Sequence, residues 1–185
     1  GAALNNLGKK VLLIDLDPQA NLTQSLGLTN QQRTIYGSLK GEYKLEPIVI
    51  LKGFDIVPST LDLSGAEIEL SSEAGREFIL KELIDEVRTK YDFVIIDSPP
   101  SLGLLTINAF TAADEIIIPL QAQFLAMQGL AKLVEVVDKI KSRLNKGLKI
   151  GGVFITQYDS RKVLNRDVNE TINEHFKSEV FKTKV

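Results

Sequence analysis

The sequence contains no cysteine. That excludes disulfides, thiolate metal ligands and cysteine nucleophiles, and it accords with a reducing compartment. Histidine is almost as scarce: His175 is the only one, and beside Phe176 it reads as a solvated helix residue rather than an acid–base catalyst. No run approaches the ~18 consecutive apolar residues of a membrane span, and the first residues lack the basic and apolar regions of a signal peptide. The expectation is a soluble, cytoplasmic protein with no membrane segment in this chain. Neither sign of charge dominates, since 22 Lys and Arg stand against 24 Asp and Glu for a net charge of −2. Any nucleic-acid contact must therefore come from a local basic patch. Internal repeats and low-complexity segments are also lacking.

What is present is a chain of 185 residues, 44% hydrophobic, near the length prior of one domain and able to bury a substantial core. A single domain over residues 1–185 is the expectation. Ala2, Ala3, Leu4 and Leu7 read as the tail of an amphipathic helix closed by Gly8. The chain is thus expected to begin in mid-element, and residues 180–185 look like a strand just starting.

Between these ends, apolar runs alternate with helical periodicity. Residues 11–14 are apolar without alternation, as in a strand covered on both faces. Residues 22–26 predict a short helix stopped at Gly27, and residues 54–57 a strand ended by Pro58. Phe78, Ile79, Leu83, Ile84 and Val87 mark one side of a helix from about residue 72. Residues 92–97 predict a second buried strand, 104–113 a helix, 115–119 a fully buried strand and 125–144 a long helix. In that long helix Leu130, Leu133, Val134, Val137, Ile140 and Leu144 form the buried side. A strand at 148–156 and a helix at 163–176 complete the pattern. Strands alternating with helices predict a three-layer α/β fold with a mostly parallel sheet.

Two of these strands end in acid. Asp15 and Asp17 follow the first apolar run at a spacing of two, so both side chains leave a strand on the same side, and open parallel sheets bind ligands beyond the carboxyl ends of their strands. Asp17-Pro18 also reads as a helix start, acid at the N-cap and proline in the first turn. Asp97 ends the second run and is followed by Ser98-Pro99-Pro100, which stops the strand. With no cation placed among these three acids by the sequence, a hard divalent ion such as Mg²⁺ is their natural partner. An apolar strand tipped by Asp has the form of the Mg²⁺-holding acid of nucleotide hydrolases.

The same residues carry a resemblance. Leu13-Ile14-Asp15-Leu16-Asp17-Pro18-Gln19-Ala20-Asn21-Leu22-Thr23 resembles the D-x-D-P-Q-G-N-x-T segment of the ParA/Soj-type chromosome and plasmid partitioning ATPases, and Asp97-Ser98-Pro99-Pro100 resembles their D-x-P-P segment. Pro119-Leu120-Gln121-Ala122, then Ala126, Gln128-Gly129-Leu130 and Thr156-Gln157-Tyr158-Asp159-Ser160-Arg161 match further on, so the resemblance spans essentially the whole chain. It implies a P-loop NTPase-like fold, ATP and Mg²⁺ as cofactors, an ATP-driven homodimer on non-specific DNA, and a ParB-like partner that stimulates hydrolysis. A cytoplasmic, nucleoid-associated bacterial protein follows from the same likeness. Family members open with a strand and a deviant Walker A loop, K-G-G-V-G-K-T-T. This sequence contains no such loop, and the expectation is a chain that starts after it, with that first strand missing, and is inactive by itself.

Carried over residue by residue, the resemblance makes Asp17 the group that orients or activates the attacking water. Asp15 and Asp97 become holders of Mg²⁺, mainly through its waters. Arg161, Lys162 and Arg166 form a small basic cluster matching the region where the family is thought to touch DNA. Two residues depart from the pattern: Ala20 stands where the family has Gly, and Gln123 where an acid is common. A MinD-type membrane ATPase of cell-division placement is the rival within the superfamily, and a non-enzymatic interaction domain the rival outside it. The iron–sulfur relatives are excluded by the absence of cysteine.

Overall fold

The computed structural model describes residues 1–121, 124–158, 161, 172, 176 and 180–183. They fall into two compact units, Gly1–Ala112 and Ala113–Val185. The predicted helix at 163–176, with Lys162, Arg166 and His175, lies almost entirely outside the described residues.

The first unit is built on a four-stranded sheet. Helix α1 (Ala2–Asn6) leads into the central strand β1 (Val11–Asp15), and Gly8 at φ 79° turns the chain between them. Helices α2 (Asn21–Ser25) and α3 (Ile35–Leu39) precede a hairpin of β2 (Ile48–Leu51) and β3 (Phe54–Val57). The Asn5 side-chain amide donates to the Lys52 and Gly53 carbonyls, pinning that hairpin's turn to α1. After the short helix α4 (Ala66–Glu69) come α5 (Ile79–Asp85), strand β4 (Phe93–Asp97) and helix α6 (Leu104–Ala112). The strand order is β2-β3-β1-β4, with β1 parallel to both neighbours and β2 antiparallel to β3.

The unbroken apolar run of β1 is explained by its place. All five of its residues are buried. Val11 and Leu13 form one core with Phe54 and Ile56, against which Leu4 of α1 and Leu22 of α2 pack. Leu12 and Ile14, on the opposite face, are fully buried as well. Burying a side chain of this size contributes roughly 1.5–3 kcal/mol, so the strand is anchored from both sides.

Strand β4 differs from expectation. Its ends are exposed and its middle only half-buried, with Phe93 at 43%, because β1 is its one strand partner among the described residues. The helix expected from residue 72 begins only at Ile79. Gly75 at φ 72° starts a turn in which Phe78 donates its N–H back to the Gly75 carbonyl. A buried asparagine then locks α5 to α6: Asn108 accepts the Leu80 N–H at 3.1 Å and donates to the carbonyls of Arg76 and Leu104.

The second unit is a parallel pair, β5 (Glu115–Gln121) and β6 (Lys149–Thr156), joined by the long helix α7 (Phe124–Arg143). This is the βαβ crossover that a parallel pair requires. Leu130, Val137 and Ile140 lie on the buried side of α7 as their spacing predicts. Strand β5, expected to be covered on both faces, alternates instead, and Ile117 is 51% exposed. Val180 bridges Val153 and the Phe181 N–H bonds the Val153 carbonyl, so the chain does turn back into an extended segment there. Among the described residues no helix is long and apolar enough to cross a membrane. The architecture is α/β with a mostly parallel sheet.

Candidate functional site

The acidic edge is assembled by strand register. Asp15, last residue of β1, is the register partner of Asp97, last residue of β4. One step on, the Leu16 N–H donates to the Asp97 carbonyl at 2.8 Å, and the fully buried Leu16 side chain holds the chain down between Asp15 and Asp17. Asp17 follows, half-buried. The three carboxylates singled out from sequence thus come together at the carboxyl ends of two adjacent parallel strands, where α/β sheets place ligands.

The three are not alike. Asp15 is fully buried, and its carboxylate accepts three hydrogen bonds. One is the Asp17 N–H at 3.2 Å; the others are the Thr23 N–H at 2.8 Å and the Thr23 hydroxyl at 2.6 Å. A buried carboxylate is tolerable only when so satisfied. Asp17 lies in a turn, not at the N-cap of a helix as Asp17-Pro18 suggested. The Ala20 N–H closes back on the Asp17 carbonyl at 2.9 Å, and the Gln19 N–H donates to the Asp17 Oδ1 at 2.9 Å. Helix α2 begins only at Asn21, because Ala20 takes the left-handed conformation (φ 52°, ψ 33°) and breaks the helical path. Pro18 serves the second position of the turn, which suits its fixed φ.

Asp97 is the exposed member. Partial desolvation, then the negative charges of Asp15 and Asp17, hold its carboxyl above the ordinary range for an aspartate. No lysine or arginine forms an ion pair with any of the three among the described residues. A set of oxygen donors that gathers negative charge at one sheet edge fits a divalent hard cation. The described residues contain no group of three or more acids or imidazoles arranged as a ready metal cage. Mg²⁺ is ordinarily held by one or two carboxylates, its own waters and substrate phosphate.

One residue of this edge, Ser59, escaped the sequence reading, and another, Thr23, was marked there only as the last residue of the D-x-D-P-Q-G-N-x-T match. Thr23 and Ser59 are both buried, and the Ser59 N–H donates to the Thr23 hydroxyl oxygen at 2.9 Å while the Ser59 hydroxyl donates to the Asp17 carbonyl at 2.8 Å. For Ser59 the available signal was only positional, a hydroxyl residue just past the end of β3, while Thr23 lies in α2, eight residues beyond Asp15. A cavity of about 400 Å³ near α3 and α5 is lined by Glu69, Glu73, Glu82 and Glu86 against the single Lys40. Its charge opposes a polyphosphate, and it shares no lining residue with the acidic edge. Of the basic cluster, Arg161 is exposed.

Comparison with known proteins bears on this geometry. Residues 1–150 match a family model described as an AAA domain. The chain is 42% identical to the chromosome-partitioning ATPase Soj of Treponema pallidum over 99% of its length and 73% of that protein. It is 41% identical to the sporulation initiation inhibitor protein Soj of Bacillus subtilis, over 99% of this chain and 74% of that one. Among solved structures, cobyrinic acid a,c-diamide synthase of Mycobacterium smegmatis with bound ADP and magnesium superimposes with a TM-score of 0.90 at 38% identity, covering 96% of this chain and 74% of the other. The P-loop NTPase-like fold read from the sequence is thereby established. Identity of this extent over nearly every residue reflects common descent, and the chain belongs to the Soj/ParA family of chromosome-partitioning ATPases.

Proposed function

We propose that this chain is one ATPase domain of a DNA-partitioning switch: an ATP-driven homodimer on non-specific DNA, returned to its resting state when a ParB-like partner stimulates hydrolysis. The observation that carries the reading is the acidic edge, which has no ion-pair partner among the described residues, with Asp15 and Asp97 in register and Asp17 two residues beyond Asp15. In this reading Asp15 and Asp97 hold Mg²⁺ chiefly through its waters, and Asp17 orients the water that attacks the terminal phosphate. Bound Mg²⁺ would supply charge neutralisation for the triphosphate. Asp17 suits its role because its Oδ1 is fixed by the Gln19 N–H, which leaves Oδ2 for a water. The exposed Arg161, with Lys162 and Arg166, would meet DNA phosphates. The protein would act in the cytoplasm, on the nucleoid.

Phosphoryl transfer depends on positioning and charge stabilisation, most of which a phosphate loop and its lysine provide. These 185 residues contain no such loop, and three acids by themselves repel a triphosphate. The polypeptide alone should therefore neither bind ATP tightly nor hydrolyse it. The test compares nucleotide titration and phosphate release for three polypeptides: the chain as given, the chain extended upstream by a strand and K-G-G-V-G-K-T-T loop, and the extended chain with Asp17→Ala. Extension should restore binding and turnover, and Asp17→Ala should abolish turnover with ATP still bound and the DNA-bound dimer preserved. Robust hydrolysis by the chain as given, or undiminished turnover in the extended Asp17→Ala form, would overturn this assignment.

A further inference from the structure

We infer that Ser59 and Thr23 are positioning residues for Asp17, and that their hydroxyls fix the main chain of the water-orienting turn. The inference rests on the reading of Asp17 just given. Asp17 is gripped at both of its backbone polar groups. Its N–H donates to the Asp15 Oδ1 at 3.2 Å, and its carbonyl accepts the Ser59 hydroxyl at 2.8 Å in addition to the Ala20 N–H. Thr23 joins the two grips into one network. Its hydroxyl donates to the Asp15 Oδ2 at 2.6 Å and accepts the Ser59 N–H at 2.9 Å, so every link from Asp15 through Thr23 and Ser59 to Asp17 is a hydrogen bond of ordinary length.

The network joins two neighbouring segments to a third that is distant in sequence. Asp15 ends β1, Thr23 lies in α2, and Ser59 follows the Pro58 that ends β3. Asp15, Thr23 and Ser59 are all nearly inaccessible, at 0%, 3% and 2% exposure. Water therefore cannot replace a deleted partner at low cost, and loss of one link leaves the next group unsatisfied. Asp17 itself stays half-open to solvent, as a group that must meet a water has to be. The sheet edge thus supplies a rigid buried mount and the turn presents one carboxylate from it. The hydroxyls never touch substrate. They act by keeping Asp17 within the few tenths of an ångström that transfer geometry demands.

Acting through Asp17 predicts a kinetic pattern that a general loss of structure would not give. In the loop-extended chain, Ser59→Ala and, separately, Thr23→Val should lower kcat about ten- to hundredfold, with KM and the Kd of a non-hydrolysable ATP analogue each within about twofold. Thr23→Ser, which keeps the hydroxyl, should recover most of the rate. In the Asp17→Ala background, where turnover is already lost, Ser59→Ala should leave the Kd of the analogue within about twofold, because the group it positions takes no part in holding the nucleotide. If either hydroxyl variant fails to fold, the other carries the same measurements. A Kd for the analogue that rises as far as kcat falls, a drop expressed in KM alone, or no drop at all while Asp17→Ala is inactive would overturn the positioning role and leave the Asp17 assignment standing. Full turnover in Asp17→Ala itself would overturn both.

Discussion

Asp15 and Asp97 face each other as the last register pair of two parallel strands, yet one is sealed and hydrogen-bonded and the other is open, with no ion pair among the described residues. The asymmetry follows from the sheet. Strand β1 is central, so its terminal acid is covered and must be met by donors from α2. Strand β4 has β1 as its one partner among the described residues, so its terminal acid stays in solvent while feeling the charges of Asp15 and Asp17.

A pH-dependent stability follows. The Asp97 carboxyl is held above the usual value near about 3.9, so the folded state binds its proton more tightly than the unfolded state does. The resulting penalty is absent below the unfolded value and fully present above the folded one, so this group makes stability fall as pH rises between them. Asp97→Asn should therefore raise the urea midpoint at pH 7 and give no gain at pH 3. An equal gain at both values would mean that neither partial desolvation nor the charges of Asp15 and Asp17 burden this position.

The acidic edge was legible in sequence because an unalternating apolar run that ends in Asp, twice, has few meanings in an α/β chain. The exposure of the strands was not. Ile116-Ile117-Ile118 and Phe93-Val94-Ile95-Ile96 read as covered on both faces, and apolar runs carry no mark of whether a strand is central or peripheral. The helix expected from residue 72 failed at Gly75, whose positive φ outweighed the three-four spacing that began at Phe78. Ser59 and its link to Thr23 were invisible for another reason. Their roles depend on β1 and β3 being neighbours, a fact of topology that local pattern does not contain.

Ala20 is the residue whose conformation the sequence argued against. A left-handed backbone costs an L-residue roughly 1–2 kcal/mol, and here it is borne by a buried alanine closing the Asp17 turn. Ala20→Gly would remove the strain but lose a buried methyl, worth about 0.8 kcal/mol, and would loosen the unfolded chain. Its net effect should lie within about 1 kcal/mol of zero. Ala20→Val has no such offset, since a β-branched side chain at positive φ is strained whatever space it finds. It should destabilise by about 2 kcal/mol or more. Thermal unfolding of the two variants is the measurement, and equal tolerance of Gly and Val would show that the turn at Asp17 re-forms without a left-handed residue.

The start of helix α6 gives a test of how the Asp97 loop is anchored. The Leu105 N–H, one of the donors a helix start leaves unpaired, is met by the Glu67 Oε1 at 3.3 Å, and an acid at a helix start is favoured by the helix dipole as well. Glu67 can lie there because position 103 is glycine. A methyl on Gly103 would come within 2.8 Å of the Glu67 Cδ and Oε2, so the carboxylate would have to swing away. Behind it the Thr106 hydroxyl bonds the Ser101 carbonyl at 2.6 Å, which joins this helix start to the loop that follows Asp97. Losing the cap should cost about 1 kcal/mol. Gly103→Ala should therefore be about 1 kcal/mol less favourable in the wild-type chain than in a Glu67→Ala background, where there is no carboxylate to displace. Urea unfolding of the two single variants and the double variant gives that coupling directly. Additive effects would mean that Glu67 does not cap α6, and that the loop after Asp97 is held by Thr106 and its own prolines alone.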